Sequence, residues 1–316
     1  APSPTGYLHL GHAASALFSM KQAGPHGRFL LRIEDIDQTR CRPEYLDAIY
    51  EDLVWLGLGW EQPVRVQSEH FADYQVVLDR LTDMGLLYPC FCTRKDIQAE
   101  IERIGNAPHG PDGALYPGTC RHCSAQERSD RIAAGESYAL RLDMDAAIGR
   151  VGRELVWFDR SAGRQVATPE IFGDVVLARK DTPTSYHISV THDDHLQGIS
   201  LITRGQDLFF ASHLHRLMQE LLGYDVPEYH HHGLLTGPDG KRFAKRDKSK
   251  TLRSMREEGM TPDAVRDLAD QRVRHGHQDN VGVSQSGLLV HAIDANLVLQ
   301  PLLSDVADFD MEHLEG

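Results

Sequence analysis

The sequence predicts an α/β fold in which a parallel sheet is interrupted by a cysteine-bearing α+β insertion and followed by a short helical region. Three observations carry that expectation. Apolar runs at 29–33 and 199–204 suit buried strands, and each is followed by helical spacing, at 43–56 and 209–222, the alternation typical of parallel sheets. Four of the five cysteines fall in the stretch between those halves. With 316 residues and 41% hydrophobic content, the chain can bury a sizeable core, and its length suits about two domains.

The opening segment, Ala1-Pro2-Ser3-Pro4-Thr5-Gly6-Tyr7-Leu8-His9-Leu10-Gly11-His12, reads as an extended stretch giving way to a helix. Its prolines hold the chain extended, Gly6 and Gly11 let backbone approach a ligand, and 13–20 has amphipathic helical spacing. Helix starts favour anions, and uncharged imidazoles at His9 and His12 can donate N–H groups to phosphate oxygens. The bland alternative is a pair of helix-start histidines with no catalytic task.

The strand at 29–33 ends at Glu34 and Asp35, and the helix at 43–56 carries Pro43 in its first turn. Ligands of open parallel sheets bind at the carboxyl ends of strands, which is where Glu34 falls. An insertion spans about 86–179. The second half-sheet is read at 174–177, 186–190 and 199–204. His230-His231-His232 lies on an extended segment where successive side chains alternate, so three rings do not converge on one ion. A turn at Gly237-Pro238-Asp239-Gly240 follows. Thr261-Pro262 starts a further helix with an N-cap and a proline at its first position. Residues 271–287 read as a polar linker, and the apolar segment 288–303 matches no pattern.

A formal charge of -13 excludes a surface that attracts nucleic acid everywhere. Any RNA contact must be local, and 241–256 offers a patch in which eight of sixteen residues are Lys or Arg. No apolar stretch approaches the roughly 20 residues that span a bilayer, and no signal peptide is evident. The expectation is a cytoplasmic monomer. The chain begins without Met, so its true start is expected upstream.

In a reducing compartment, clustered cysteines suggest metal before disulfide. Cys90 and Cys92 with Cys120 and Cys123 would make a four-thiolate zinc site. Cys41 stands apart and reads as a small, partly buried side chain.

The opening segment resembles the first signature of class I aminoacyl-tRNA synthetases in the glutamyl and glutaminyl branch. Arg32-Ile33-Glu34-Asp35-Ile36-Asp37, Asp193-Asp194-His195-Leu196-Gln197-Gly198 and Arg204-Gly205-Gln206-Asp207-Leu208 resemble later blocks in order, and Lys241-Arg242-Phe243-Ala244-Lys245-Arg246 resembles the second signature. The resemblance implies a Rossmann-type catalytic domain whose first half is 1–85 and whose second half is 180–240. Between them 86–179 would be the acceptor-type insertion, 241–270 the mobile loop and stem-contact helix, and 271–316 an unassigned tail. It implies activation of an amino acid by ATP with Mg(2+), then transfer to RNA. His9, Gly11, His12 and Lys245 would serve ATP. Ala1, Ser3, Glu34, Tyr186 and Arg204 would bind glutamate, with Arg204 on a carboxylate and Glu34 on the amino group. Ala244 stands where the signature usually has Ser.

The resemblance also assigns zinc to Cys90, Cys92, Tyr116 and Cys120, whereas thiol chemistry alone favours Cys123 over the Tyr116 phenol. The shortened architecture resembles the glutamyl-queuosine tRNA(Asp) synthetases, which implies glutamate transfer to queuosine in the anticodon loop of tRNA(Asp). The alternatives are a catalytic fragment of a glutamyl-tRNA synthetase needing tRNA(Glu), a non-catalytic tRNA-binding relative, and a nucleotidylyltransferase sharing only His9-Leu10-Gly11-His12.

Overall fold

The computed structural model describes residues 2–104, 108–233 and 250–278. Ala1, Lys245 and the turn at 237–240 lie outside the described residues, as does 279–316.

Helix α1 (Leu10–Ala23) is capped by His9 and buries Leu10, Ala13 and Ala14 at helical spacing. Strand β1 (Leu30–Ile33) alternates, with Leu31 and Ile33 buried. Proline fixes the first turn of α2 (Pro43–Trp55), which presents Ala48, Ile49 and Leu53 to the core. Strand β2 (Glu61–Val66) then runs parallel to β1 with Ile33 opposite Val66, and α3 (Phe71–Asp83) buries Tyr74, Val77, Leu78 and Leu81.

The middle of the chain contributes β3 (Leu87–Cys90), α4 (Arg94–Ile104), the short pair β4 (His109–Gly110) and β5 (Gly113–Ala114), α5 (Ala125–Ala133), β6 (Ala139–Leu142) and α6 (Met144–Val151). Next come β7 (Val156–Asp159), β8 (Gly163–Val166) and β9 (Val176–Ala178). The final portion holds α7 (Tyr186–Leu196), β10 (Leu201–Gly205), α8 (Ala211–Leu222), β11 (Glu228–His232), α9 (Leu252–Glu257) and α10 (Pro262–Gln278).

The fold is mixed α/β. Parallel pairing occurs in two ladders, β1 with β2 and β10 with β11, and β7 joins β11 in parallel. Helix α1 lies against β10, where Ser19 and Thr203 share a hydrogen bond of 2.5 Å. One core gathers α3, α6, α7 and α8, and a second gathers α1, β1, α2, α9 and α10. Among the described residues, no helix is long and apolar enough to cross a membrane.

Three sequence expectations are corrected. Residues 186–190 form the start of α7, not a strand. The run Tyr-His-Ile-Ser-Val is too short for its period to distinguish the two states, and the helix it begins buries Ile188, Ser189, Val190, Thr191, Asp193 and Asp194. The strand expected at 174–177 is β9, and it pairs antiparallel with β6 instead of joining the parallel ladders. Conversely, β7 and β8, inside 86–179, join β11. Strand partners are chosen by tertiary packing, which local pattern does not record. Finally, α10 continues to Gln278 through part of the stretch read as linker. Thr261 Oγ1 accepts from the Ala264 N–H at 3.3 Å, starting a helix whose polar residues hide its period.

Candidate active site

The opening segment is laid beside the end of β1 by backbone hydrogen bonds. Glu34 N–H donates to Pro2 O at 3.0 Å, and Arg42 N–H to Pro4 O at 3.1 Å. This brings Ser3 and the α1 N-terminus to the carboxyl end of the β1–β2 ladder, where ligands of such sheets bind.

At that N-terminus the two histidines form a reciprocal cap. His9 Nδ1 accepts from Gly11 N–H at 3.0 Å, and His12 Nδ1 accepts from His9 N–H at 3.1 Å. Both Nδ1 atoms are therefore unprotonated, and in the neutral rings Nε2 carries the hydrogen. Desolvation lowers both pKa values, and His9 adds to the lowering at His12 although that ring has an open edge. The result is two neutral N–H donors on a helix start, carried by rings tilted at 39° with centroids 3.9 Å apart. Gly11 is required here for space: a Cβ would lie 2.8 Å from His9 Cε1.

The described segment beyond Lys245 returns to this point. Thr251 forms an antiparallel bridge with His9, and Leu252 N–H donates to Leu8 O at 2.7 Å.

The second half of the site is built on parallel register. Arg204 on β10 stands opposite His231 on β11. Its Nε donates to His231 Nε2 at 3.0 Å, Nη1 meets His215 Nδ1 at 3.3 Å, and Nη2 donates to Ser212 Oγ at 2.6 Å. Its face lies over the Tyr229 ring, 5.3 Å from the centroid. Arg204 is 8% exposed, and among the described residues no carboxylate pairs with it. His231 is fixed in turn by Asp159, whose Oδ2 lies 2.6 Å from Nδ1, and His215 Nε2 lies 3.1 Å from His187 Nδ1. Burial lowers the pKa of His231, His215 and His187, the last to about 4, and the Arg204 charge lowers all three further.

Tyr186, at the first position of α7, faces both Arg204 and Glu34. Burial raises its pKa to about 12, Arg204 opposing and Glu34 reinforcing the shift. Burial raises the Glu34 pKa as well, against the pull of Arg32 at 3.6 Å. An ion-pair network locks these elements together. Arg32 Nη1 donates to Asp194 at 2.9 Å and Gln197 at 3.1 Å, while Arg65, Gln67 and Tyr74 converge on the buried Asp193 at 2.7–3.2 Å. Thus α7 is tied to β1, β2 and α3, and Tyr186 is carried to Glu34.

In the insertion, the thiols of Cys90, Cys92 and Cys120 lie within 4.8 Å of one another. The Tyr116 hydroxyl is 3.4 Å from both Cys90 and Cys92, and Cys92 is 3.5 Å from Cys120. Cys123 is not in this group. A zinc ion with bonds near 2.3 Å needs ligand atoms about 3.8 Å apart, so the donor set and spacing fit zinc. Arg141 stacks over the Tyr116 ring at 3.8 Å. The three histidines of β11 go to separate partners: His230 to Gln22 at 3.1 Å, His231 to Asp159, and His232 to Ser15 at 3.2 Å.

Of the expected residues, the structure therefore places His9, Gly11 and His12 together, Glu34 with Tyr186 and Arg204, and Tyr116 with three cysteines. Sequence reasoning missed Asp159, His187, Ser212, His215 and His231. The histidine triple was a visible signal, but its meaning depends on the β10–β11 register.

A site of this form on this fold defines a class I tRNA synthetase catalytic domain. Residues 1–291 match the family model described as tRNA synthetases class I (E and Q), catalytic domain, and the chain belongs to that family of ligases. Within it, the chain is 45% identical over 273 residues to the Glutamyl-Q tRNA(Asp) synthetase of Rhodobacter capsulatus, covering 85% of this chain and 97% of that protein. The protein of the same name from Symbiobacterium thermophilum is 40% identical, covering 84% and 82%. The glutamate–tRNA ligase of Aquifex aeolicus is 37% identical over 84% of this chain and 54% of its own length. Among solved structures, a glutamate tRNA ligase from Elizabethkingia meningosepticum in complex with its amino acid superposes with a TM-score of 0.71 at 27% identity. This chain covers 59% of that chain's length, using 85% of its own.

Proposed function

We propose that the chain activates L-glutamate with ATP, without needing tRNA, and transfers it to queuosine in the anticodon loop of tRNA(Asp). The observation that carries the amino-acid assignment is Arg204, a buried guanidinium with three of its five N–H groups committed to neutral acceptors and no carboxylate partner among the described residues. Such a cation is costly unless a ligand supplies the anion. Glutamate supplies a side-chain carboxylate for it, with Tyr186 beside it and Glu34 for the amino group. The name shared by the relatives at 45% and 40% identity supports queuosine tRNA(Asp) as acceptor.

The ATP phosphates would lie on the α1 N-terminus, where the Nε2–H groups of His9 and His12 and the Gly11 backbone meet them. Attack of a carboxylate on the α-phosphate needs positioning and charge stabilisation more than a protein nucleophile. Donors that tighten as charge builds on the departing pyrophosphate lower the barrier. Lys245 would add its ammonium there, and Mg(2+) accompanies ATP. Cys90, Cys92, Tyr116 and Cys120 would hold one structural zinc, which cross-links the insertion and takes no part in the chemistry.

Pyrophosphate exchange with ATP and glutamate, run with and without tRNA, tests the proposal. Exchange with glutamate alone is the expected result. Exchange only with tRNA(Glu) would favour the second reading, a glutamate–tRNA ligase catalytic domain, to which the Aquifex relative lends support. Zinc content separates the ligand sets: Tyr116→Phe should weaken or lose the ion, and Cys123→Ser should keep it.

A further inference from the structure

Burying a guanidinium is ordinarily offset by a carboxylate, because a buried charge without a counter-charge is costly. Arg204 is held differently. Its acceptors are two imidazoles and a hydroxyl, and each imidazole is fixed so that a lone pair faces the cation. At His231 the Asp159 carboxylate takes the Nδ1 hydrogen, leaving Nε2 to accept from Arg204 Nε–H. At His215 the hydrogen on Nε2 goes to His187 Nδ1, leaving its own Nδ1 to accept from Arg204 Nη1. The only full negative charge in this chain of contacts is Asp159, one imidazole away.

We infer that His231, His215 and Ser212, with His231 oriented by Asp159, form a neutral acceptor cage whose task is to fix the Arg204 guanidinium without cancelling its charge, so that the site selects a carboxylate over the isosteric amide. His231 is the central positioning residue of this cage. The inference rests on the glutamate reading above and deepens it. Glutamate and glutamine differ by one oxygen-to-nitrogen change, so shape alone cannot separate them. A guanidinium already paired with a carboxylate would gain little more from glutamate than from glutamine. One oriented by neutral groups retains its attraction for the anion, and it repels the amide N–H₂ donors if glutamine presents that edge.

The test uses the whole chain in pyrophosphate exchange, with glutamate and glutamine as alternative substrates, for the wild type, His231→Met and His231→Gln. Met fills the volume and removes the acceptor, whereas Gln keeps one. His231→Met is expected to raise KM for glutamate about tenfold and cut the glutamate-to-glutamine preference by a similar factor, with KM for ATP moving less than about twofold. His231→Gln is expected to recover most of both losses.

The inference is overturned if the Met variant keeps its glutamate preference, if KM for ATP and glutamate rise together, or if Gln restores nothing. Should the Met variant not fold, Ser212→Ala, which removes the Nη2 acceptor and leaves the rings intact, gives the same readout. A wild-type chain that does not activate glutamate at all would sink the functional reading itself, whereas an active wild type with unaltered variants would sink only the cage.

Discussion

The α1 N-terminus and the Arg204 pocket both rest on neutral histidines, used in opposite senses. At the helix start, His9 and His12 spend their Nδ1 lone pairs on backbone N–H groups and turn two donors outward, an arrangement suited to an anion. Around Arg204, His231 and His215 give their hydrogens to Asp159 and His187 and turn lone pairs inward, an arrangement suited to holding a cation. Burial keeps the rings neutral in both places. What differs is the partner of the second nitrogen, a backbone N–H in one case and an acceptor in the other. The lesson is that the tautomer, not the presence of histidine, decides what the ring can do.

The largest effect should come from removing the cation that the second arrangement serves. Arg204→Met should lower kcat/KM for glutamate about 100-fold, close to 2.7 kcal/mol, while ATP binding persists. Unchanged glutamate kinetics would break the comparison at its buried end. The open end is sharpened by Gly11→Ala, which leaves both histidines in place but puts a methyl 2.8 Å from His9 Cε1. Displacing the ring should cost about tenfold in kcat with little change in KM for glutamate, because donors that act on departing pyrophosphate count in the transition state. A proportional rise in KM for glutamate would show that the two ends are not separate.

Acid should expose the second arrangement through stability. His187 is held near pKa 4 in the folded chain by burial and by Arg204, against the ordinary imidazole value of about 6.5. The unfolded chain therefore binds more protons between those values, and the contribution of neutral His187 to stability, fully present above about pH 6.5, is lost as pH falls towards 4. His215 and His231 shift in the same direction. Chemical unfolding at pH 7 and pH 5 should differ by about 1–3 kcal/mol, and His187→Asn should reduce that difference. A variant with the same pH slope as the wild type would remove His187 from the account.

Much of this was legible in the sequence, and unevenly so. His9, Gly11 and His12 are local: a cap, a close approach and a helix start lie within four residues, so their geometry follows from spacing. The cysteine cluster was legible as a metal-type group, with thiol chemistry pointing to Cys123 and the resemblance to Tyr116 as the fourth ligand; in the structure the Tyr116 hydroxyl lies 3.4 Å from Cys90 and Cys92, two of the three grouped thiols. The cage round Arg204 was not legible, because Asp159, Ser212, His215 and His231 come from β7, α8 and β11 and meet only through strand register. The reading of 186–190 as a strand misplaced Tyr186 in a sheet, although the resemblance had already named it for the glutamate pocket; it is the first residue of a helix.

The smallest expected effect concerns the neighbour of the central cage residue. His230 and His231 are adjacent on β11, so their side chains point to opposite faces of the sheet. His231 goes to Asp159 and Arg204, whereas His230 bonds Gln22 at 3.1 Å and lies edge-on to Phe18 of α1, with centroids 4.8 Å apart. His230→Gln keeps a polar group beside Gln22 and leaves Arg204 alone. KM for glutamate, KM for ATP and the glutamate preference should each stay within about twofold of wild type, while thermal stability drops slightly through the lost ring contact. A fall in glutamate preference comparable to that of His231→Met would mean that the whole strand position, and not the lone pair on one ring, holds the guanidinium.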